Sequence, residues 1–276
     1  MIIQSTPEGQ ESGKRFVMKL AEHLELAGQF AENFGNDTFA QPEPREEFLY
    51  VCRWHDKGWQ DLDDNPPLDP DTGLPYNLVE TPLPIILLTS ARSPEYNEAH
   101  HPYCGLIDSM HIWGLYNGRY GMSDKKLINM IPDEHRMLAD GMLNNEFQRQ
   151  QRLKATLGED SRTAGWVEEG PLFSNYKVLQ FFDTLALYFN CTHAAARGEA
   201  AYDNVPLDSE TDTTITIRPV DGDTYSLDPY PFRESGLEIS FQGRYLSPLE
   251  ADAKPDMAAV MRDTPLERQS STLVAA

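Results

Sequence analysis

The run in the 276-residue chain most suggestive of chemistry is Trp54-His55-Asp56-Lys57-Gly58-Trp59. A histidine beside an aspartate at the end of a helix offers a neutral imidazole nitrogen and a carboxylate oxygen. Both are ligands for a borderline or hard divalent cation. Adjacent helical residues diverge by about 100°, so the two either flank one ion lying between them or serve separate ions. A lone His-Asp pair is a weak signal, because such dipeptides arise by chance. Two distant residues strengthen it. His23 falls in an apolar helical stripe, where an imidazole needs either a hydrogen-bond partner or a metal. Asp183 stands in Gln180-Phe181-Phe182-Asp183-Thr184-Leu185-Ala186-Leu187, apolar on nearly every side. A buried carboxylate there needs a cation, an arginine or a neighbouring hydroxyl to offset its desolvation.

A further cluster is Ala99-His100-His101-Pro102-Tyr103, followed by Asp108-Ser109-Met110-His111. Asp108 and His111 are three apart and share a helix face. Cys104 and Leu115 lie on the same face as His111, which turns it inward. One of His100 and His101 is a candidate ligand for a second ion; the alternatives are a helix cap or a solvent-facing ring. His135 and His193 sit among charged or small residues and are read as surface. Arg53 and Lys57 flank the His-Asp pair and are candidates for substrate phosphate, with a solvated helix face as the alternative. Arg119, in Asn117-Gly118-Arg119-Tyr120, is a better placed candidate for an anion. Trp54, Trp59 and Trp113 either wall a pocket or belong to the core.

The elements that must position these residues are mostly helical. Met1 to Ile3 suits a short strand within a polar stretch over 1–14. From about Gly13 to Phe34, the residues Phe16, Leu20, His23, Ala27, Phe30 and Phe34 recur on one helix face, and Gly35-Asn36 stops it. A second helix is expected from about Arg45 to Lys57, ending at Gly58. Residues 61–84 form a proline- and aspartate-rich loop whose prolines forbid a long helix and which is placed to cover a site. Helical patterning resumes from Tyr103 to about Asn117. It continues over 124–157, with Leu127, Met130, Ile131, Met137, Leu138 and Leu143 as core candidates. Asn175 to Cys191 reads as a buried helix. After about residue 205, TTITIRPV and LEISFQGRYL alternate as strands do. The last 25 or so residues read as a poorly ordered tail.

With 44 acidic and 23 basic side chains the net charge is −21. That argues against nucleic acid, which basic clusters recognise, and leaves an anionic small molecule to be met by a local positive site. Twelve Phe, 12 Tyr and four Trp supply a core,. Cys52, Cys104 and Cys191 cannot all pair and include no C-x-x-C. The N-terminal MIIQSTPEGQ is too polar for a signal peptide, and Leu83 to Leu88 is too short to span a bilayer. A cytoplasmic protein of a reducing compartment, without a membrane partner, is expected; its oligomeric state is open.

His23, then His55-Asp56 with Gly58, then Asp183 resembles the H…HD…D signature of the HD-domain superfamily of metal-dependent phosphohydrolases. More closely, HDKGW, PPLDPDTGLP, SMHIWGLY, LQFFDTLALYF and DPYPF resemble an uncharacterised bacterial family known only as a domain of unknown function. The superfamily resemblance implies a mainly α fold, an HD-domain-like helical bundle over 1–205; the strand alternation adds a small C-terminal antiparallel β appendage over 206–250, which the minimal HD core lacks, and the tail spans 251–276. It implies one or two divalent ions (Mn, Zn, Ni, Co or Fe) on His23, His55, Asp56 and Asp183, with His101 and His111 as further ligands. Asp56, Lys57 and Arg119 are the implied catalytic residues. The expected activity is hydrolysis of a small phosphorylated compound through a metal-activated water. The alternatives are a di-iron oxygenase of the same ligand order and a non-catalytic ligand-binding scaffold, since fold resemblance does not choose among them.

Overall fold

A computed structural model describes residues 1–6, 13–250 and 255–276. Strands β1 (Ile2–Ile3) and β2 (Arg15–Met18) lead into α1 (Leu20–Asn33), α2 (Arg45–Trp54) and the short α3 (Gln60–Asp64). A small hairpin of β3 (Leu68–Asp69) and β4 (Leu74–Pro75) follows. Helices α4 (Leu83–His100), α5 (Pro102–Tyr116), α6 (Asp133–Gly158) and α7 (Glu169–Cys191) make up most of the helical layer. The chain ends with β5 (Ala200–Pro206), β6 (Asp212–Asp221), β7 (Thr224–Asp228), β8 (Leu237–Leu246), α8 (Met257–Asp263) and β9 (Glu267–Ala275). No helix among the described residues is long and apolar enough to cross a membrane.

This architecture overturns the expected helical bundle with a small antiparallel appendage. Apart from the small hairpin, the strands form one seven-stranded mixed sheet in the order β1-β2-β8-β9-β7-β6-β5. Its neighbours are antiparallel except β7 and β9, which run parallel. The N-terminal strands belong to it, with Arg15 opposite Leu246 and Phe16 opposite Tyr245, so the division expected at residue 205 is not a boundary of the sheet. The expected tail carries α8 and β9, while its residues 251–254 lie outside the described residues. β9 is an inner strand, paired on both sides. Two backbone ladders hold it, so its polar composition, with only Ser271 and Leu273 buried, is tolerated,. That composition is why it reads as a tail.

Three further differences have local causes. The helix expected from Gly13 begins only at Leu20, because Phe16, Val17 and Met18 are buried as strand residues of the sheet. Helix α4 runs through a stretch not expected to be helical. Pro84 lies in its first turn, where no intrahelical N–H is needed, and Pro94 is buried inside it. In and before α6, Leu127, Met130, Met137 and Leu138 are exposed rather than core. The buried line is Ala139, Met142, Leu143, Glu146, Gln150, Leu153 and Leu157, and its two polar members disguise the true face.

Helix α1 joins the two layers. Phe30 stacks on Phe232 at 5.8 Å, and Phe34 meets Phe182 of α7 edge-on at 5.3 Å. Where β2 ceases to pair with β8, α1 side chains take over the strand's polar groups. The Gln29 amide donates to the Ser240 carbonyl at 2.8 Å and accepts from its N–H at 3.0 Å, and Glu22 accepts from Gln242 N at 2.8 Å. The N-terminus of α1 is capped from outside its own segment. Asp63 accepts from Leu20 N and Ala21 N, both at 2.9 Å. Helix α3, just after His55-Asp56, therefore clamps the helix that carries His23.

Replacing Asp63 with Ala leaves two helix-terminal donors without that carboxylate. A loss of about 1–3 kcal/mol is expected, read as a lower urea midpoint; an unchanged midpoint would contradict the clamp.

Candidate metal centre

Four helices and one turn bring the cluster together. α1 supplies His23, the C-terminal cap of α2 is His55, the turn after it is Asp56, α5 carries His111 and α7 carries Asp183. All are buried except Asp56, which is half-buried. Asp183 Oδ1 lies 3.2 Å from His23 Nε2 and 4.0 Å from His55 Nε2. Ligating atoms of His23, His55 and Asp56 lie within 4.8 Å of one another. The His55 ring stands edge-on to both His23 and His111, at 5.5 and 5.1 Å.

The histidines are oriented from behind. His55 donates from Nδ1 to the Cys52 carbonyl at 3.0 Å, an acceptor only, so the proton sits on Nδ1 and Nε2 presents a bare lone pair. That Nε2 is buried and has no hydrogen-bond partner among the described residues. Its 4.0 Å to Asp183 is too long for a hydrogen bond,. It suits two atoms on one cation, since ligands each about 2.1 Å from an ion stand roughly 3–4 Å apart. His23 Nδ1 faces Asn190 Oδ1 at 3.2 Å, which directs its Nε2 lone pair at the Asp183 carboxylate unless a proton or a cation lies between them. His111 Nδ1 meets the Gln180 amide at 2.6 Å, and Gln180 Oε1 is left without a partner. Turning that amide over supplies Oε1 as the acceptor and makes the arrangement the same at all three rings. An imidazole whose rear N–H is held by an oxygen is the usual support of a metal ligand.

Burial and the mutual charges of the cluster shift its titrating groups. Burial alone pushes the Asp183 carboxyl up, but the His23 hydrogen bond and the neighbouring imidazoles hold it well below the usual carboxylate range. Burial works against a charged His23, yet Asp183 raises it above the ordinary imidazole value. Burial lowers His111 to about 3, leaving it a neutral ligand at physiological pH. Burial raises Asp56, with His55 and His23 pulling the other way. Asp108 of α5 is pushed well above its usual range by burial and then by the Asp56 charge.

The His-Asp turn is seated tightly on α4. A Cβ on Gly58 would fall 2.1 Å from the Thr89 carbonyl oxygen and 2.9 Å from Ser93 Oγ; Ser93 Oγ also accepts from Gly58 N at 2.9 Å. Asn97 Nδ2 reaches the Trp54 carbonyl at 2.8 Å and Asp108 at 2.7 Å. These bonds tie α4 and α5 to the residue before His55.

Other sequence candidates have different surroundings. His101 caps α5, its Nδ1 accepting from Tyr103 N at 3.1 Å, with Trp166 beside the ring. His100 stacks on Tyr50 at 3.5 Å. The Lys57 ammonium lies over Trp54 at 4.2 Å and near Tyr96, and Arg53 pairs with Glu25 and Glu32. Arg119 lines a cavity beside α7. Sequence reasoning missed Gln180 and Asn190. Their signal is legible afterwards: Gln180, Asp183 and Asn190, spaced by three and seven, put polar atoms on one face of an otherwise apolar helix,.

A family model described as a protein of unknown function (DUF3891) matches residues 1–248. No curated protein and no solved structure matches the chain.

Two substitutions test this construction. Gly58→Ala forces the turn away from α4 and should cost about 1–3 kcal/mol, measured by denaturant melting, with divalent-metal affinity reduced. Asn190→Leu, which unties His23 from behind, should weaken metal affinity about 10–100-fold while the far-ultraviolet spectrum is retained. Wild-type metal affinity in both variants would contradict the described supports.

Proposed function

We propose, for a chain that belongs to the DUF3891 family of proteins of unknown function, metal-dependent hydrolysis of a small phosphorylated compound. The observation that carries this reading is the His55 Nε2 lone pair: buried, aimed into the cluster beside Asp183, and without a partner among the described residues. Burying such an acceptor unpaired costs free energy that a cation would recover. His23, His55, Asp56 and Asp183 are the residues that would hold the ion, with His111 beside them. Imidazole and carboxylate donors suit Mn, Zn, Ni, Co or Fe. When bound, a divalent ion at such a site acidifies water toward neutral pH and polarises a phosphoryl oxygen.

The chain's own residues supply position and exclusion. The Cys52 carbonyl fixes the His55 tautomer, and Asn190 fixes the His23 ring. Asp183, walled by Phe182 and Leu185 on its own helix, keeps its charge away from bulk water. Asp56 is the half-buried member, and in this reading its carboxylate would orient a nucleophilic water toward the substrate. The Lys57 ammonium is held by aromatic rings, so its part is to brace the turn. The ligand order His, His-Asp, Asp is one that HD-type hydrolases use and that di-iron oxygenases share, so the identity of the metal and the oxygen dependence of turnover separate the two; the helical-bundle fold of that superfamily is no part of the support.

Elemental analysis of the purified protein, paired with a phosphatase screen, tests the reading. Stoichiometric Mn, Zn, Ni or Co with phosphate release is expected, and Asp56→Ala should lower both metal content and turnover, the latter by about 100-fold or more. Iron with oxygen-dependent turnover would point instead to an oxygenase. Unchanged turnover in Asp56→Ala would remove the proposed site.

A further inference from the structure

Beside the metal centre, between α7 and β5, lies a cavity of about 300 Å³ lined by Arg119, Lys177, Gln180, Thr184, Tyr202 and Asn204 among others. Its backbone is unusual. Gly118, Arg119, Tyr120 and Gly121 carry four successive positive φ values of 71°, 52°, 57° and 93°, and Asn204 has φ 58° at an irregularity of β5. Arg119, Tyr120 and Asn204 are the non-glycine residues with positive φ among the described residues, and all three belong to the cavity wall or the turn that forms it. Left-handed backbone is unfavourable for arginine and tyrosine. Such strain persists where surrounding structure enforces it, and it collects at binding sites.

The enforcement is visible. The Tyr120 ring is locked among Trp113, Phe173 and Tyr176, and its hydroxyl donates to Gln150 Oε1 at 3.1 Å. With Tyr120 pinned, the turn brings Arg119 to the cavity. There the Arg119 guanidinium has no hydrogen bond or ion pair among the described residues, whereas Lys177 is matched by Asp212. An unmatched, half-buried arginine is conspicuous in a chain of net charge −21. Gln180 is the wall the cavity shares with the metal centre, since its side chain also meets His111 Nδ1.

The geometry points to an oxyanion site in this cavity: a phosphate group held by the Arg119 guanidinium, with the Asn204 amide as a second donor. Arginine's planar fork matches a phosphate's paired oxygens. The identification of that phosphate with part of the substrate rests on the hydrolase reading; the cavity's own affinity for phosphate does not.

The test is calorimetric titration of inorganic phosphate into the full-length protein in the presence of a chelator. Wild type should bind saturably. Arg119→Asn should bind at least about tenfold more weakly and melt no lower than wild type, because asparagine tolerates the left-handed conformation. Arg119→Lys, keeping the charge without the fork, should fall between them. Asp183→Asn should lose metal retention and keep saturable phosphate binding, because it leaves Arg119 and Asn204 in the cavity wall. Absence of saturable binding by wild type, or equal affinity in Arg119→Asn, would overturn the site. A lower melting temperature in Arg119→Asn would overturn the view that the arginine is kept there for binding rather than for folding. Metal retention combined with either failure would sink this site alone and leave the hydrolase reading standing; phosphate binding without metal retention would do the reverse.

Discussion

A carboxylate in the middle of a protein is costly unless positive charge or several donors surround it. The Asp183 carboxylate sits on α7 between the buried Phe182 and Leu185 in sequence, and the side chains that approach it are imidazoles. His23 and His55 turn their Nε2 atoms toward it, while their opposite nitrogens are tied to Asn190 and to the Cys52 backbone. A proton between Asp183 and His23 satisfies one of these contacts. It does nothing for His55, whose rear bond forces its lone pair forward. That unpartnered lone pair is the observation from which the proposed metal site follows.

The fold is arranged to keep those atoms in register. α1 is clamped at its start by Asp63, fastened along its length to β8 by Glu22 and Gln29, and packed by phenylalanines against α7. The seven-stranded sheet is therefore not an accessory to the helices: it is the base on which the His23 helix rests. On the other side, Gly58 lets the His-Asp turn approach the backbone of α4 more closely than any side chain would permit. Asn97 links that turn to α5. Side chains held by such supports are limited to geometries a rigid ligand set needs.

What the sequence reveals and conceals follows from the same physics. His23 and Asp183 are legible because polar residues in apolar helical surroundings must have partners, His55 and Asp56 because two metal-ligand types stand side by side at a helix end, and His111 because its helix face is inward. Gln180 and Asn190 escape notice because amides are unremarkable singly and acquire meaning only when counted along one face. The sheet is hidden for other reasons. β2 is four residues long, and β9 is held by backbone pairing rather than by an apolar alternation. Helix α4 is masked by Pro84 and Pro94, and the exposed Met137 and Leu138 of α6 mimic a core stripe that lies on another face. Arg119 stands out in sequence as a cation near a ligand helix. The left-handed turn that brings it to the cavity shows only as a pair of flanking glycines, Gly118 and Gly121.

The most direct examination of the central claim is anomalous diffraction from crystals grown with a candidate transition metal. The account predicts a peak about 2.0–2.3 Å from His23 Nε2, His55 Nε2 and a carboxylate oxygen of Asp183. A map with no such peak at saturating metal, and with His55 Nε2 hydrogen-bonded to an ordered water in its place, would contradict it.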